Sequence, residues 1–319
     1  MGVPAVDRLT LERHQVWLYL SAITLGLGLG QALPGLASQL ELLLWPTLVA
    51  LLFCTFLQVP LLHVRTALGD RRFVSALLCG NFIAIPLLVW ALLQWLPNDP
   101  ALRLGVLLVL LVPCTDWFIS FTQLGRGDTA RAIAVTPLNL LLQVLLLPLY
   151  LWLLSDTPDY LTLAPQLLAA AVLVVLLPLL LAAMGERWIE AQAGRERLRE
   201  HLAWWPVPLL ALVIALIAAS QAETLINALP LLPSVVPVYL AYLVLALILA
   251  AGLARLWRLP IAQQRTLAFS FGTRNSFVVL PLALALPAGW EIAALVIVIQ
   301  SLVELLGMLF FLWWLPRRH

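Results

Sequence analysis

The chain has 319 residues, of which 63% are apolar and only 11% charged, 18 basic against 16 acidic. A soluble domain carries about 25% charged residues, so this composition excludes a cytosolic enzyme, a nucleic-acid binder and a disordered chain. One bilayer crossing needs about 20 mainly apolar residues, and the apolar content suffices for roughly ten crossings. The class expected is an all-α polytopic membrane protein.

Ten apolar segments follow one another along the chain. The first, about Val16 to Leu33, comes after Arg8 and Arg13. It is longer than a signal-peptide core and is read as a span. Within it Gly26 and Gly30 form a G-x-x-x-G pair suited to close helix contact. Span 2 covers Leu42 to Leu62, and span 3 covers Phe73 to Leu96 with Asn81 and Pro86 inside it. Span 4 runs from Leu104 to Leu124, and span 5 from Ala132 to Leu154 with Asn139 and Gln143. Spans 6 to 8 lie at Pro165 to Met184, Trp204 to Ser220 and Val235 to Ala254. Span 9 covers Thr266 to Leu286 and span 10 Ile292 to Leu315. Ten of the 13 tryptophans sit near span ends, where amphipathic rings prefer to lie.

The arginines orient these segments. There is no lysine, and 16 of the 18 arginines fall in the two tails and the even-to-odd loops 2–3, 4–5, 6–7 and 8–9. The alternate loops hold only Arg103. Basic residues resist translocation, so both termini are expected in the cytoplasm, with the chain in the plasma (inner) membrane. Five spans precede loop 5–6 and five follow it. An odd number per half makes the halves insert in opposite senses, giving two inverted five-helix repeats, residues 1–159 and 160–319.

A positional echo joins the halves. Span 4 breaks its apolar pattern at Val112-Pro113-Cys114-Thr115-Asp116, and span 9 at Ser270-Phe271-Gly272-Thr273-Arg274-Asn275-Ser276. Proline removes a backbone donor and glycine favours non-helical backbone, so both helices are expected to break there. Freed backbone groups must be buried in protein or line a wet cavity. Paired interruptions in the two halves point to a midplane binding site. Single prolines elsewhere, such as Pro86, Pro137, Pro148, Pro178 and Pro281, are read as kinks.

Three charged side chains fall inside spans: Asp116, Arg274 and Glu304. A charge at the bilayer centre costs at least about 2.5 kcal/mol, so such residues face a cavity or a partner. If spans 4 and 9 cross at their breaks, Asp116 and Arg274 can pair, either as a structural pin or as a gate that opens with substrate or proton binding. Arg274 also suits carboxylates and oxyanions. Glu304 has no basic residue one helical turn away and is read as a proton-handling group. Cys114 is the only cysteine within an interruption. A half-helix beginning near Pro113 would aim its positive end at the site and, with Arg274 nearby, favour the thiolate, whereas Asp116 would oppose it. Cys54 and Cys79 are read as small hydrophobes. The binding set expected is Cys114, Thr115, Asp116, Thr273, Arg274 and Asn275, with Glu304 and Asp116 for protons and Asn81 and Asn139 as further cavity lining. The four histidines lie in tails, loops or span ends. No metal, cofactor or enzymatic constellation is expected.

These residues also carry a family resemblance. Ten spans with broken fourth and ninth members resemble the bile acid:sodium symporter superfamily, and most closely its arsenical-resistance-3 type arsenite efflux permeases. The resemblance rests on Pro113-Cys114-Thr115, Gly125-Arg126-Gly127-Asp128, Leu138-Asn139, Asn275-Ser276-Phe277 and Leu302-Val303-Glu304. It implies a secondary transporter, with roles in metalloid transport for Cys114 and Glu304. Ser270 and Arg274-Asn275 stand where the sodium-coupled branch has an acidic residue followed by Gln-Asn, so a guanidinium takes the region of a sodium ion. The function expected is proton-coupled efflux of arsenite or a related metalloid by alternating access. The alternative is sodium- or proton-coupled symport of a small organic anion. The partners expected are a small solute, protons and the lipid bilayer, with no nucleic acid.

Overall fold

The computed structural model describes residues 8–59, 69–115, 117–154, 171–192, 194–227 and 229–317. Helix accounts for 85% of it, and there is no strand among the described residues. In chain order the helices are α1 (Arg8–Ala32), α2 (Ala37–Phe56), α3 (Arg71–Cys79), α4 (Ile85–Leu93), α5 (Pro100–Leu111), α6 (Trp117–Leu124), α7 (Thr129–Leu154) and α8 (Leu177–Glu190). There follow α9 (Glu196–Leu202), α10 (Pro206–Ser220), α11 (Ala222–Asn227), α12 (Leu232–Leu256), α13 (Ile261–Gly272), α14 (Ser276–Leu284) and α15 (Glu291–Trp314). Among the described residues, six helical stretches are long and apolar enough to cross a membrane by length and composition. The two predicted interruptions are real breaks, between α5 and α6 and between α13 and α14.

The helices pack into two compact units, and each draws on both halves of the chain. The first comprises Met1–Gln58 and Val172–Leu229. Here α10 packs against both α1 and α2, and α8 against α2. The predicted G-x-x-x-G pair forms the α1–α10 seam. A Cβ at Gly26 would lie 2.4 Å from the Ala215 carbonyl oxygen, and one at Gly30 would lie 2.3 Å from that of Ala219. Small residues four apart on both helices thus let the backbones touch.

The second unit comprises Val59–Ala171 and Pro230–His319. At its centre α5 is buried on every side from Leu104 to Leu111, as an all-apolar helix should be. It lies along α15, where Gly105 leaves room for the Ala293 carbonyl. A π-helical turn, Gly80–Ala84, joins α3 to α4. The cause is Pro86, which has no N–H for the Phe82 carbonyl four residues back. The Tyr150 hydroxyl of α7 donates to that carbonyl instead, at 2.6 Å.

One end of this unit is tied by polar groups. Asp70 caps α3 by accepting the Phe73 N–H, and it also accepts from Arg131 Nε at 2.7 Å and Gln263 Nε2 at 2.9 Å. The Asp128 N–H donates to Thr266 Oγ1 at 2.8 Å, and the Asp128 carboxylate accepts from Arg131. The starts of α3, α7 and α13 therefore meet.

Candidate functional site

The site lies inside the second unit, where the two helix breaks cross. α5 ends at Leu111 and Val112 turns extended; α13 ends at Gly272 and Thr273 turns extended. The exposed backbone of each break is satisfied by the other. The Asn275 N–H donates to the Val112 carbonyl at 2.8 Å, and the Cys114 N–H to the Thr273 carbonyl at 3.3 Å. Pro113 and Arg274 thus face each other across an isolated antiparallel bridge. Asn275 locks the crossing with its side chain. Its Oδ1 accepts the Val278 N–H and caps α14, while its Nδ2 donates to Thr115 Oγ1 at 3.1 Å. Two breaks that would be unaffordable in lipid become one satisfied, protein-buried junction.

Arg274 is the largest fully buried side chain among the described residues, at 1% exposure. Its Nη2 donates to the carbonyls of Ser270 at 2.6 Å and Phe271 at 3.1 Å, and to Asn81 Oδ1 at 3.0 Å. Its Nη1 reaches the Leu110 carbonyl at 3.4 Å. The Tyr242 ring lies 5.7 Å from Cζ, and the Tyr242 hydroxyl donates to the Phe271 carbonyl. Asn81 stands on the π-helical turn and returns a hydrogen bond to Ser270 Oγ at 3.0 Å. Gly80 permits this approach, because a Cβ there would lie 1.9 Å from the Phe271 ring.

Glu304 on α15 completes the junction. Its Oε2 accepts the backbone N–H of Arg274 at 2.8 Å and Gln300 Nε2 at 2.6 Å. Gln300 Oε1 in turn accepts the Ser276 hydroxyl, and Ser301 donates to Ser276 Oγ at 2.8 Å. The hydroxyl chain beyond Gln300 can rotate its protons.

Of the residues singled out from the sequence, Cys114, Thr115, Thr273, Arg274, Asn275, Glu304 and Asn81 come together here. Thr273 turns its hydroxyl onto the Phe269 carbonyl of its own helix. Asp116 lies outside the described residues. Asn139 is fully buried on α7 with Gln143 one turn on, and neither amide has a hydrogen-bond partner among the described residues. Two expectations need correction. The half-helix of span 4 starts at Trp117, so Cys114 sits in non-helical backbone three residues before it rather than at its N-terminus. Glu304 is engaged through main chain and amide groups rather than left without partners. Gln300, Ser301 and Tyr242 were not assigned to the site from the sequence. Gln300, four residues before Glu304, carried a usable signal in that spacing.

The long apolar helices and the buried crossing of two broken ones define a multi-pass membrane protein. A family model described as the sodium bile acid symporter family matches residues 45–228, more than half of the chain. The chain belongs to the sodium bile acid symporter family, and so is a membrane-embedded solute transporter. No curated protein matches it. The matched stretch includes the first break; Arg274 and Glu304 lie beyond it.

Proposed function

We propose that the chain is a secondary carrier that works without sodium and uses Arg274 as a built-in cation. The observation that carries this reading is the set of four oxygens around the guanidinium, from Leu110, Ser270, Phe271 and Asn81. Carbonyl and amide oxygens converging on a buried point are what a hard cation needs. In this chain a tethered cation fills that point. With no room left for a mobile one, the coupling ion is the proton, and Glu304 is the group that carries it.

The same occupancy argues on substrate. A carboxylate solute held by Arg274 would have to displace main-chain acceptors, leaving them buried and unsatisfied. An uncharged solute needs no such exchange. Cys114, buried at the crossing, offers a soft ligand of the kind trivalent metalloids favour. The solute proposed is therefore arsenite or a related metalloid, exported against protons. The membrane arrangement proposed is ten spans in two inverted repeats, 1–159 and 160–319, with both termini in the cytoplasm of a plasma (inner) membrane. It is supported by the arginine pattern and by the meeting of the starts of α3, α7 and α13.

Everted vesicles test this directly. Arsenite accumulation should follow an imposed proton gradient equally in sodium and potassium buffers. Strict sodium dependence overturns the built-in cation. Sodium-free uptake of labelled organic anions without arsenite flux overturns the metalloid but not the coupling. Cys114→Ala should abolish arsenite resistance in a sensitive host while the protein still reaches the membrane; full resistance removes the thiol from the mechanism.

A further inference from the structure

A second feature of the same unit lies away from the crossing. At the polar-tied end, α12, α13 and the end of α15 enclose a cavity of about 200 Å3. One wall is a stripe on α12, Leu247, Ala251 and Arg255, each four residues from the last. Exposed Leu240, Val244 and Ile248 lead into it along the same helix, at 51%, 57% and 61% exposure. The opposite wall, on α13, carries Arg265 above Ala268. Arg265 is steadied by donating to the Arg126 carbonyl. Trp314 also lines the cavity.

The groove is apolar along its length and cationic at one end only, and that end is the arginine-rich end of the unit. We propose that it seats one anionic phospholipid of the arginine-rich leaflet, the acyl chain along the α12 stripe and the phosphate between Arg255 and Arg265. Arginine forks match phosphate oxygens, and basic clefts between spanning helices select anionic headgroups. A tryptophan at headgroup depth suits the same position. The α13 wall continues to Ser270 and Phe271, whose carbonyls hold Arg274, so the lipid braces the half-helix that forms the transport site.

The test uses the delipidated full chain and native mass spectrometry. Phosphatidylglycerol should bind roughly tenfold or more tightly than phosphatidylcholine of identical chains, from the attraction of two arginines. High salt should narrow that ratio. Arg255→Gln with Arg265→Gln should abolish it, and Arg255→Gln alone, at an exposed position, should at least halve it if the double variant fails to fold. Equal binding of the two lipids, an unchanged preference in the variants, or competition by inorganic phosphate alone at matched concentration would each overturn the proposal.

Discussion

Arg274 Nη2 lies 3.0 Å from Asn81 Oδ1, and this bond joins a π-helical turn in one span to the break in another. Asn81 also holds Ser270 Oγ, so one amide fixes both the guanidinium and the last turn of α13. Replacing Arg274 by alanine strips donors from four buried oxygens. Each buried acceptor left without a donor costs about 1–3 kcal/mol. The expected result is a lowered thermal midpoint that sodium, but not the larger potassium, partly restores. Wild type should be indifferent to the two salts. Asn81→Ala should cost less, about 1–3 kcal/mol, because Ser270 and Phe271 still hold the guanidinium.

Glu304→Gln separates charge from shape. The amide oxygen can still accept both the Arg274 N–H and Gln300 Nε2, which meet on one oxygen of Glu304, and Gln300 keeps its own orientation toward Ser276. Stability should change by about 1 kcal/mol or less. Flux driven by a proton gradient should disappear, whereas solute exchange at equilibrium should persist. Glu304→Ala should instead be unstable, since two buried N–H donors lose their acceptor. Proton-driven flux at wild-type rate in the glutamine variant would remove Glu304 from coupling.

The breaks and their meeting were legible because proline, glycine and a polar cluster interrupt otherwise apolar runs at matching positions. The acceptors of Arg274 were not. Three are main-chain carbonyls, which every residue possesses, so no side-chain pattern announces them. One partner of Glu304 is likewise a backbone N–H 30 residues away. The division into two units that each mix the chain halves was equally hidden, because hydropathy orders spans along the chain and says nothing about which of them pack together. The Gly26–Gly30 seam was legible as a contact, and the structure adds its partner, α10.

That seam makes a contrast two residues wide. Gly26→Ala puts a methyl 2.4 Å from the Ala215 carbonyl oxygen, a backbone atom that cannot swing aside. Overpacking of this kind costs about 1–3 kcal/mol. Gly28 has nothing within 4 Å of its Cβ position, so Gly28→Ala should stabilise α1 by up to about 1 kcal/mol through helix propensity. Thermal melts of the two variants should move in opposite directions. Equal shifts would mean that α1 does not rest on α10 through Gly26.

The Asp70 cluster gives the unit an acid limit. Burial works against the Asp70 carboxylate, but the Phe73 N–H, Gln263 and Arg131 outweigh it and hold the group below the ordinary aspartate value. A carboxyl group lowered in the folded state adds stability above its unfolded pKa, near 3.9, and loses it as pH falls through the folded value. Stability should therefore drop below about pH 4 as the tie between α3, α7 and α13 is protonated. Arg131 is 42% exposed, so solvent screening keeps the ion-pair contribution to about 1 kcal/mol or less. Asp70→Asn retains an acceptor for the Phe73 N–H but removes the charge. Its melting temperature should lie below wild type at pH 7, and the gap should narrow as pH falls below about 4. A constant offset across that range would show that the Asp70 charge contributes nothing to the tie.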